Sequence, residues 1–280
     1  MPAAPAEPGS DRLLPRALWP RLHLFEWNDQ PWLPSWLRRA ETDYLATAID
    51  VARPFTPLAP RIASLAAVAE PEQVIDLCSG GAGPWPHLAG EVAAARGQPV
   101  PVLLTDLYPD PDAFARATAA AGAVTGAADP VDATAVPDRL RGVRTMFDGF
   151  HHFRPADARR ILVDAHRRRQ PIVIADALQR RLLGVLPMLI LIPLLVLLLT
   201  PRIRPLTPRR LLFTYLIPLL PFLITWDGVV SALRAYRPAE LRALAAGLDD
   251  FTWEAGTVRK RGAVVTYLIG TPRVTTSAAP

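Results

Sequence analysis

Cysteine and lysine are almost missing from these 280 residues. Cys78 stands alone, which excludes a disulfide framework and a cysteine-built zinc cluster. Lys260 is the one lysine, so the net charge of +5 is carried by arginine. Charged residues make up only 20% of the chain against 50% hydrophobic, a balance that excludes disorder because the apolar surface can offset the ordering entropy. The opening stretch MPAAPAEPGSDRLLPR lacks an apolar core, so no secretory signal is expected there. Basic stripes interleaved with aromatics are also missing, which makes nucleic acid a poor partner despite a pI of about 10.0. No internal repeat is visible.

What is present in excess is hydrophobicity, and it sits in one place. Mean hydropathy is +0.18. Residues 182–200 (LLGVLPMLILIPLLVLLLT) and 211–226 (LLFTYLIPLLPFLITW) contain no charge, and PRIRPLTPRR between them carries Arg202, Arg204, Arg209 and Arg210. An uncharged run of about 18 or more residues is long enough to cross a bilayer. The first run meets that length and the second falls short. Prolines 187, 193, 218 and 221 interrupt both, and proline kinks a helix. A spanning hairpin would put its arginines on the far side from the bulk of the chain, against the positive-inside bias. An in-plane or re-entrant hairpin returns them to anionic headgroups and is the favoured form. A buried helical pair in a soluble oligomer is the other reading.

Six regions follow. Residues 1–16, rich in proline and alanine, are expected to be disordered. Residues 17–55 hold Trp19, Trp27, Trp32 and Trp36, then a helix with Ser35 as its N-cap and an apolar stripe through Leu37, Ala40 and Tyr44. Residues 56–178 begin with a helix over 56–69. They continue with short apolar runs at 74–77, 102–105, 123–127, 144–148 and 172–175 that read as strands separated by helices. That alternation predicts an α/β fold with a parallel sheet covered on both faces. The hairpin occupies 179–226. In 227–270, a helix over 238–248 precedes an antiparallel pair of strands over 251–259 and 263–270, and 271–280 is expected to be a flexible tail.

Chemistry gathers at the carboxyl ends of the strands, where open α/β sheets bind ligands. The first strand runs into VIDLCSGGAG, with Asp76, Cys78, Gly80, Gly81 and Gly83. A glycine-rich turn lets a ligand approach the backbone, although a tight strand-to-helix turn needs the same residues. Its spacing does not match the G-x-G-x-x-G of dinucleotide binders. The second strand ends in Asp106 and Leu107, where a carboxylate can accept from ribose hydroxyls or cap a helix. The third is followed by Asp132 and Ala133. The fourth leads into FDGFHHF, with Asp148, Phe150, His151 and His152.

Together these features resemble the class I (Rossmann-like) S-adenosylmethionine-dependent methyltransferases, over residues 56–178 and 227–270. The first motif of that family is D-x-G-C-G-x-G. Asp76 and Gly80 match it, while Cys78 and Ala82 stand where glycine is usual. The resemblance implies a doubly wound, mostly parallel sheet closed by an antiparallel C-terminal hairpin, with S-adenosylmethionine as cofactor. It assigns the methionine end to the loop of Asp76, Cys78, Gly80, Gly81 and Gly83, and the ribose to Asp106 beside Leu107. The adenine falls to Asp132 and Ala133, and the cofactor-facing segment after the fourth strand carries Phe150. The apolar hairpin is foreign to that fold and interrupts it after the fifth strand.

The expected function is methylation of a hydrophobic or lipid-like small molecule at a membrane surface, with the catalytic part cytoplasmic. A sulfonium methyl transfers by direct displacement, so alignment and desolvation matter most. His152, then His151, are the candidates for a base or an acceptor contact, against packing roles for both. Cys78 reads as a packing residue more readily than as a nucleophile. The tryptophan-rich segment reads either as a lid offering Glu26 and Asp29 to the site or as an aromatic cluster packed on the core. Arg159, Arg160 and Arg167 to Arg169 suggest a solvated face or, beside Arg180 and Arg181, a contact with anionic lipid. The rival functions are a nicotinamide-dependent oxidoreductase and a non-catalytic membrane-bound module on a degenerate methyltransferase fold.

Overall fold

Five short apolar runs become parallel strands: β1 (Val74–Asp76), β2 (Val102–Leu104), β3 (Val124–Gly126), β4 (Val143–Phe147) and β5 (Ile172–Asp176). Two longer ones, β6 (Phe251–Lys260) and β7 (Ala263–Pro272), form the antiparallel hairpin. The computed structural model describes residues 14, 20–180 and 182–273. Expectations for the proline-rich N-terminus, Trp19, Arg181 and the residues after Arg273 lie outside them. The strands form one sheet in the order β3-β2-β1-β4-β5-β7-β6, with β7 antiparallel to β5. This is the mostly parallel, Rossmann-like arrangement with an antiparallel C-terminal hairpin that the sequence predicts.

Successive strand residues point to opposite faces, and both faces are covered. Val74, Val173 and Ala175 join Ile62 of α2 (Ala59–Ala66), Trp85 and Leu88 of α3 (Trp85–Arg96) and Phe114 of α4 (Pro111–Ala120). Ile75, Ile172 and Ile174 join Ile161 and Leu162 of α5 (Pro155–Arg167) and Leu241 and Leu244 of α9 (Pro238–Leu244). Burial on two sides explains why the parallel strands read as continuous apolar runs and not as alternating ones.

The hairpin begins with α6 (Leu182–Leu199). It turns through residues 200–207 into α7 (Pro208–Leu211), which continues as a π-helical turn over Leu212–Leu216, and returns as α8 (Leu219–Arg234). Gly184–Arg202 is long and apolar enough to cross a membrane, by length and composition. The return leg passes the same criterion only as a broken pair, bent by 75° between Leu216 and Leu219, where Pro218 denies the helix a donor. A third apolar cluster seats the hairpin: Leu37, Ala40 and Tyr44 of α1 (Ser35–Ala52) meet Val196 and Leu199 of α6 and Leu220, Leu223 and Ile224 of α8. The aromatic segment packs there too, with Phe25 5.3 Å from Trp226 and Trp36 5.1 Å from Phe213 between ring centroids.

Several expectations need correction. Ser35 is the first helical residue of α1, and Pro34, with extended backbone, takes the N-cap position without a side-chain bond. The helix expected over 56–69 divides into a 3₁₀ turn (Thr56–Leu58) and α2, and the helix expected over 238–248 ends at Leu244. Strand β7 runs through Thr271 and Pro272, so those residues are no tail. Arg180 does not face lipid: it is buried against Glu240, whose other oxygen accepts from the Arg237 N–H at the start of α9. Arg210 is likewise buried, 2.5 Å from Asp43 of α1, whereas Arg202, Arg204 and Arg209 are exposed.

Candidate functional site

After β1 the chain turns into α3 through a loop with an unusual backbone. Cys78 (φ 56), Gly80 (φ 50), Ala82 (φ 79) and Gly83 (φ 49) all lie in the left-handed region. Glycine adopts that region freely, while an L side chain is strained there. Cys78 and Ala82 are therefore non-glycine residues at positions whose conformation favours glycine. Gly81 is required for another reason: a Cβ there would sit 2.6 Å from Thr42 Cγ2, because α1 packs against the loop.

Asp76 holds this loop from below. Its carboxylate accepts from Ser79 Oγ and Thr145 Oγ1, each at 2.6 Å, and burial pushes it up to about 6. Asp106 holds the loop from the side, accepting from the Gly80 and Tyr108 N–H groups at 2.8 Å each. Each Asp106 oxygen keeps lone-pair capacity for a ligand hydroxyl. Burial raises Asp106 as well, against the pull of those backbone donors. Burial, then the fields of Asp106, Asp76 and Asp132, push the Cys78 thiol well above its usual range. It stays a neutral thiol, which suits packing and not nucleophilic attack.

The remaining predicted residues divide between exposed turns and the core. Asp132 caps its own turn, accepting from the Thr134 N–H at 2.7 Å, and the Val131 N–H bonds to the Asp106 carbonyl at 2.8 Å. Leu107 is exposed. Ala133 and Phe150 are buried in the second core layer, and the Phe150 ring lies 5.4 Å from Tyr236. Asp148 (φ 47) accepts from the Ala177 N–H at 2.6 Å and so ties the ends of β4 and β5 together. Burial, with Asp176 adding, raises its carboxyl to about 7.

The two histidine rings lie 4.3 Å apart between centroids, tilted by 34°, on the 3₁₀ turn Phe150–His152. His151 is buried, with Nδ1 3.4 Å from Asp176 Oδ1. His152 Nδ1 lies 3.1 Å from Asp29 Oδ1 and 3.4 Å from Glu26 Oε2. Burial pulls His152 down, but Glu26 and Asp29 outweigh it and raise the ring to about 9. The two carboxylates thus favour the protonated ring, which donates to them. Arg234 of α8, also buried, lies 2.7 Å from Asp29 and 3.1 Å from Glu26.

The structure thus brings Glu26 and Asp29 of the aromatic segment to His152. Ser79, Thr145, Asp176 and Arg234 are partners that sequence reasoning missed. Only Arg234 leaves a trace in the sequence, as the one cation on a mostly apolar helix whose other charge is Asp227.

No family model matches the chain, and no curated protein matches it. Among solved structures it is similar to an O-methyltransferase (NcsB1) from neocarzinostatin biosynthesis in complex with S-adenosylmethionine, at 15% identity and a TM-score of 0.47 over 82% of this chain and 56% of that one. The chain therefore spans about half the length of that enzyme. It is similar to magnesium protoporphyrin IX methyltransferase (ChlM) from Synechocystis PCC 6803, at 12% identity and 0.44 over 78% and 83%. It is similar too to a Rhodobacter sphaeroides protein described as a Zn-dependent alcohol dehydrogenase, at 14% and 0.44 over 72% and 84%.

Proposed function

We propose that the protein is an S-adenosylmethionine-dependent methyltransferase that works at a membrane surface on a hydrophobic or lipid-like small molecule. The observation that carries this reading is the clasp between Asp106 and Gly80 beside the crevice where the strand order reverses. There β1 lies between β2 and β4, and ligands of open α/β sheets bind outside the strand ends. The loop of Cys78, Gly80 and Gly83 takes the methionine end, Asp106 the ribose, and the turn of Asp132 the adenine. His151 and His152 contact the acceptor. In the reaction a lone pair on the acceptor forms a bond to the methyl carbon while the carbon–sulfur bond breaks. The sulfur keeps the electrons of the broken carbon–sulfur bond and becomes a neutral thioether, and the acceptor releases its proton to water.

The membrane part is supported by exposed Leu186, Ile190, Leu194 and Leu198 on α6 and Leu216 and Phe222 on the return leg. Exposed Arg202, Arg204 and Arg209 at the turn suit anionic headgroups. The bent return leg favours a hairpin that dips into one leaflet from the cytoplasmic side of the cell membrane.

Two measurements test the reading. Calorimetry should detect S-adenosylmethionine binding, weakened by roughly tenfold or more in Asp106→Ala through loss of a charged acceptor. Incubation with labelled cofactor and a cell lipid extract should then label a lipid-soluble product. Equal binding by wild type and Asp106→Ala defeats the ribose assignment. No binding by wild type favours the non-catalytic module, and binding of a nicotinamide cofactor instead favours the oxidoreductase.

A further inference from the structure

We propose that Glu26, His151 and His152 form a binding site for one divalent transition-metal ion. Each of the three offers a ligand atom, and these atoms lie within 4.8 Å of one another. Imidazole and carboxylate adopt metal–ligand lengths of about 2.0–2.2 Å on zinc, so the three ligand atoms would draw together around the ion. Two imidazoles and one carboxylate with open positions suit zinc, cobalt or non-haem iron better than calcium or magnesium, which prefer all-oxygen shells.

The outer shell is arranged as metal sites require. A ligating histidine normally donates its second ring N–H to a carboxylate, which fixes the tautomer. Asp176 Oδ1 stands 3.4 Å from His151 Nδ1 in that role, leaving Nε2 to the ion. Glu26 is oriented in the same way. Its Oε1 takes Arg234 Nη1 at 3.1 Å and Ser231 Oγ at 2.9 Å, while Oε2 turns toward His152. Asp29 repeats the pattern, with Oδ2 on Arg234 and Oδ1 on His152. Arg234 thus engages one oxygen of each carboxylate and leaves the other facing the histidines. Three carboxylates, those of Glu26, Asp29 and Asp176, surround the pair. The competing occupant is Arg234 itself, whose Nη1 comes within 3.4 Å of His152 Nδ1.

The catalytic consequence rests on the methyltransferase reading: an acceptor oxygen in an open position of the ion loses its proton more readily. Uptake of the ion does not rest on that reading and is measured without a methyl donor, so the two fail separately. Full-length protein, stripped with a chelator, is titrated with Co²⁺ and Zn²⁺ by calorimetry and visible absorption. The expected result is a single equivalent bound, with cobalt d–d bands of a low-coordinate nitrogen and oxygen site and no thiolate charge-transfer band. His151→Ala and, separately, the near-isosteric Glu26→Gln should each weaken uptake by roughly tenfold or more, with circular dichroism showing the fold retained. No uptake, as expected if Arg234 alone completes the cluster, overturns the proposal. Uptake that survives both substitutions, or a thiolate band from Cys78, overturns it as well.

Discussion

Arg234 and Asp29, 205 residues apart in sequence, meet through a 2.7 Å hydrogen bond that fastens the return helix of the hairpin to the aromatic N-terminal segment. The same guanidinium donates to the Leu24 carbonyl and pairs with Glu26, so one side chain ties three residues of the segment beside the histidines.

Replacing Arg234 by methionine leaves the Glu26 carboxylate buried with its main counter-charge gone. Breaking a buried pair from one side costs about 3–5 kcal/mol. Urea unfolding in a mild detergent should show a loss of that order. Adding Glu26→Gln should recover part of it, because the orphaned charge is then removed; a double variant no more stable than the single one contradicts this account.

The loop after β1 gives an opposing pair of expectations. Ala82→Gly relieves a left-handed backbone and should stabilise the protein by up to about 1 kcal/mol. Gly81→Ala drives a methyl into Thr42 and should destabilise it and weaken cofactor binding together. Thr42→Ser, which removes the offending Cγ2, should restore much of both in the Gly81→Ala background. Thermal unfolding with and without S-adenosylmethionine reads both effects.

Glu41 of α1 is 7% exposed, and neither of its oxygens has a hydrogen-bond partner among the described residues. Burial, then the fields of Asp227 and Glu26, lift its carboxyl from 4.5 to about 8, with Arg38 opposing. A raised acid binds its proton more tightly when folded. Its contribution is therefore complete below the unfolded value and lost as pH climbs through the folded one. Wild type should lose stability between about pH 4.5 and 8, at no more than about 1.4 kcal/mol per pH unit from this group. Glu41→Gln should flatten that decline, its advantage growing with pH. Parallel pH profiles in urea unfolding would falsify this assignment.

Vesicle sedimentation addresses the hairpin. Ile190→Asp with Leu216→Asp should abolish binding to vesicles of any charge. Replacing Arg202, Arg204 and Arg209 by glutamine should instead weaken binding only to anionic ones, by about 1 kcal/mol per arginine near the surface. Recovery of the wild-type protein in the supernatant with both vesicle types defeats the membrane reading.

Much of this fold was legible beforehand because its signals are local. Runs such as the one ending at Asp76 announce buried parallel strands, and a helix-length stretch without charge announces the hairpin. Cys78 and Ala82 stand out in the sequence as departures from glycine, and the left-handed backbone there explains why glycine would suit them. Pairings that span the chain were not legible. Nothing near Ser79 or Thr145 says that both hydroxyls close on Asp76, and nothing near Asp176 says that it faces His151. Arg180 read as part of a basic face because its partner, Glu240, lies 60 residues on. Ion pairs form between surfaces that only the folded sheet brings together, and no periodicity records them.

The return helix has a geometric consequence. Its 16 residues run without a break from the proline bend, among exposed apolar side chains, to Arg234 beside the histidines. At 1.5 Å per residue that is a rod of about 24 Å. It works as a ruler, setting how far the two histidines stand from the bend at Pro218. On the proposed function, an acceptor held in lipid by one end reaches along that length to present its nucleophile, so molecular span, as much as chemical type, selects the substrate.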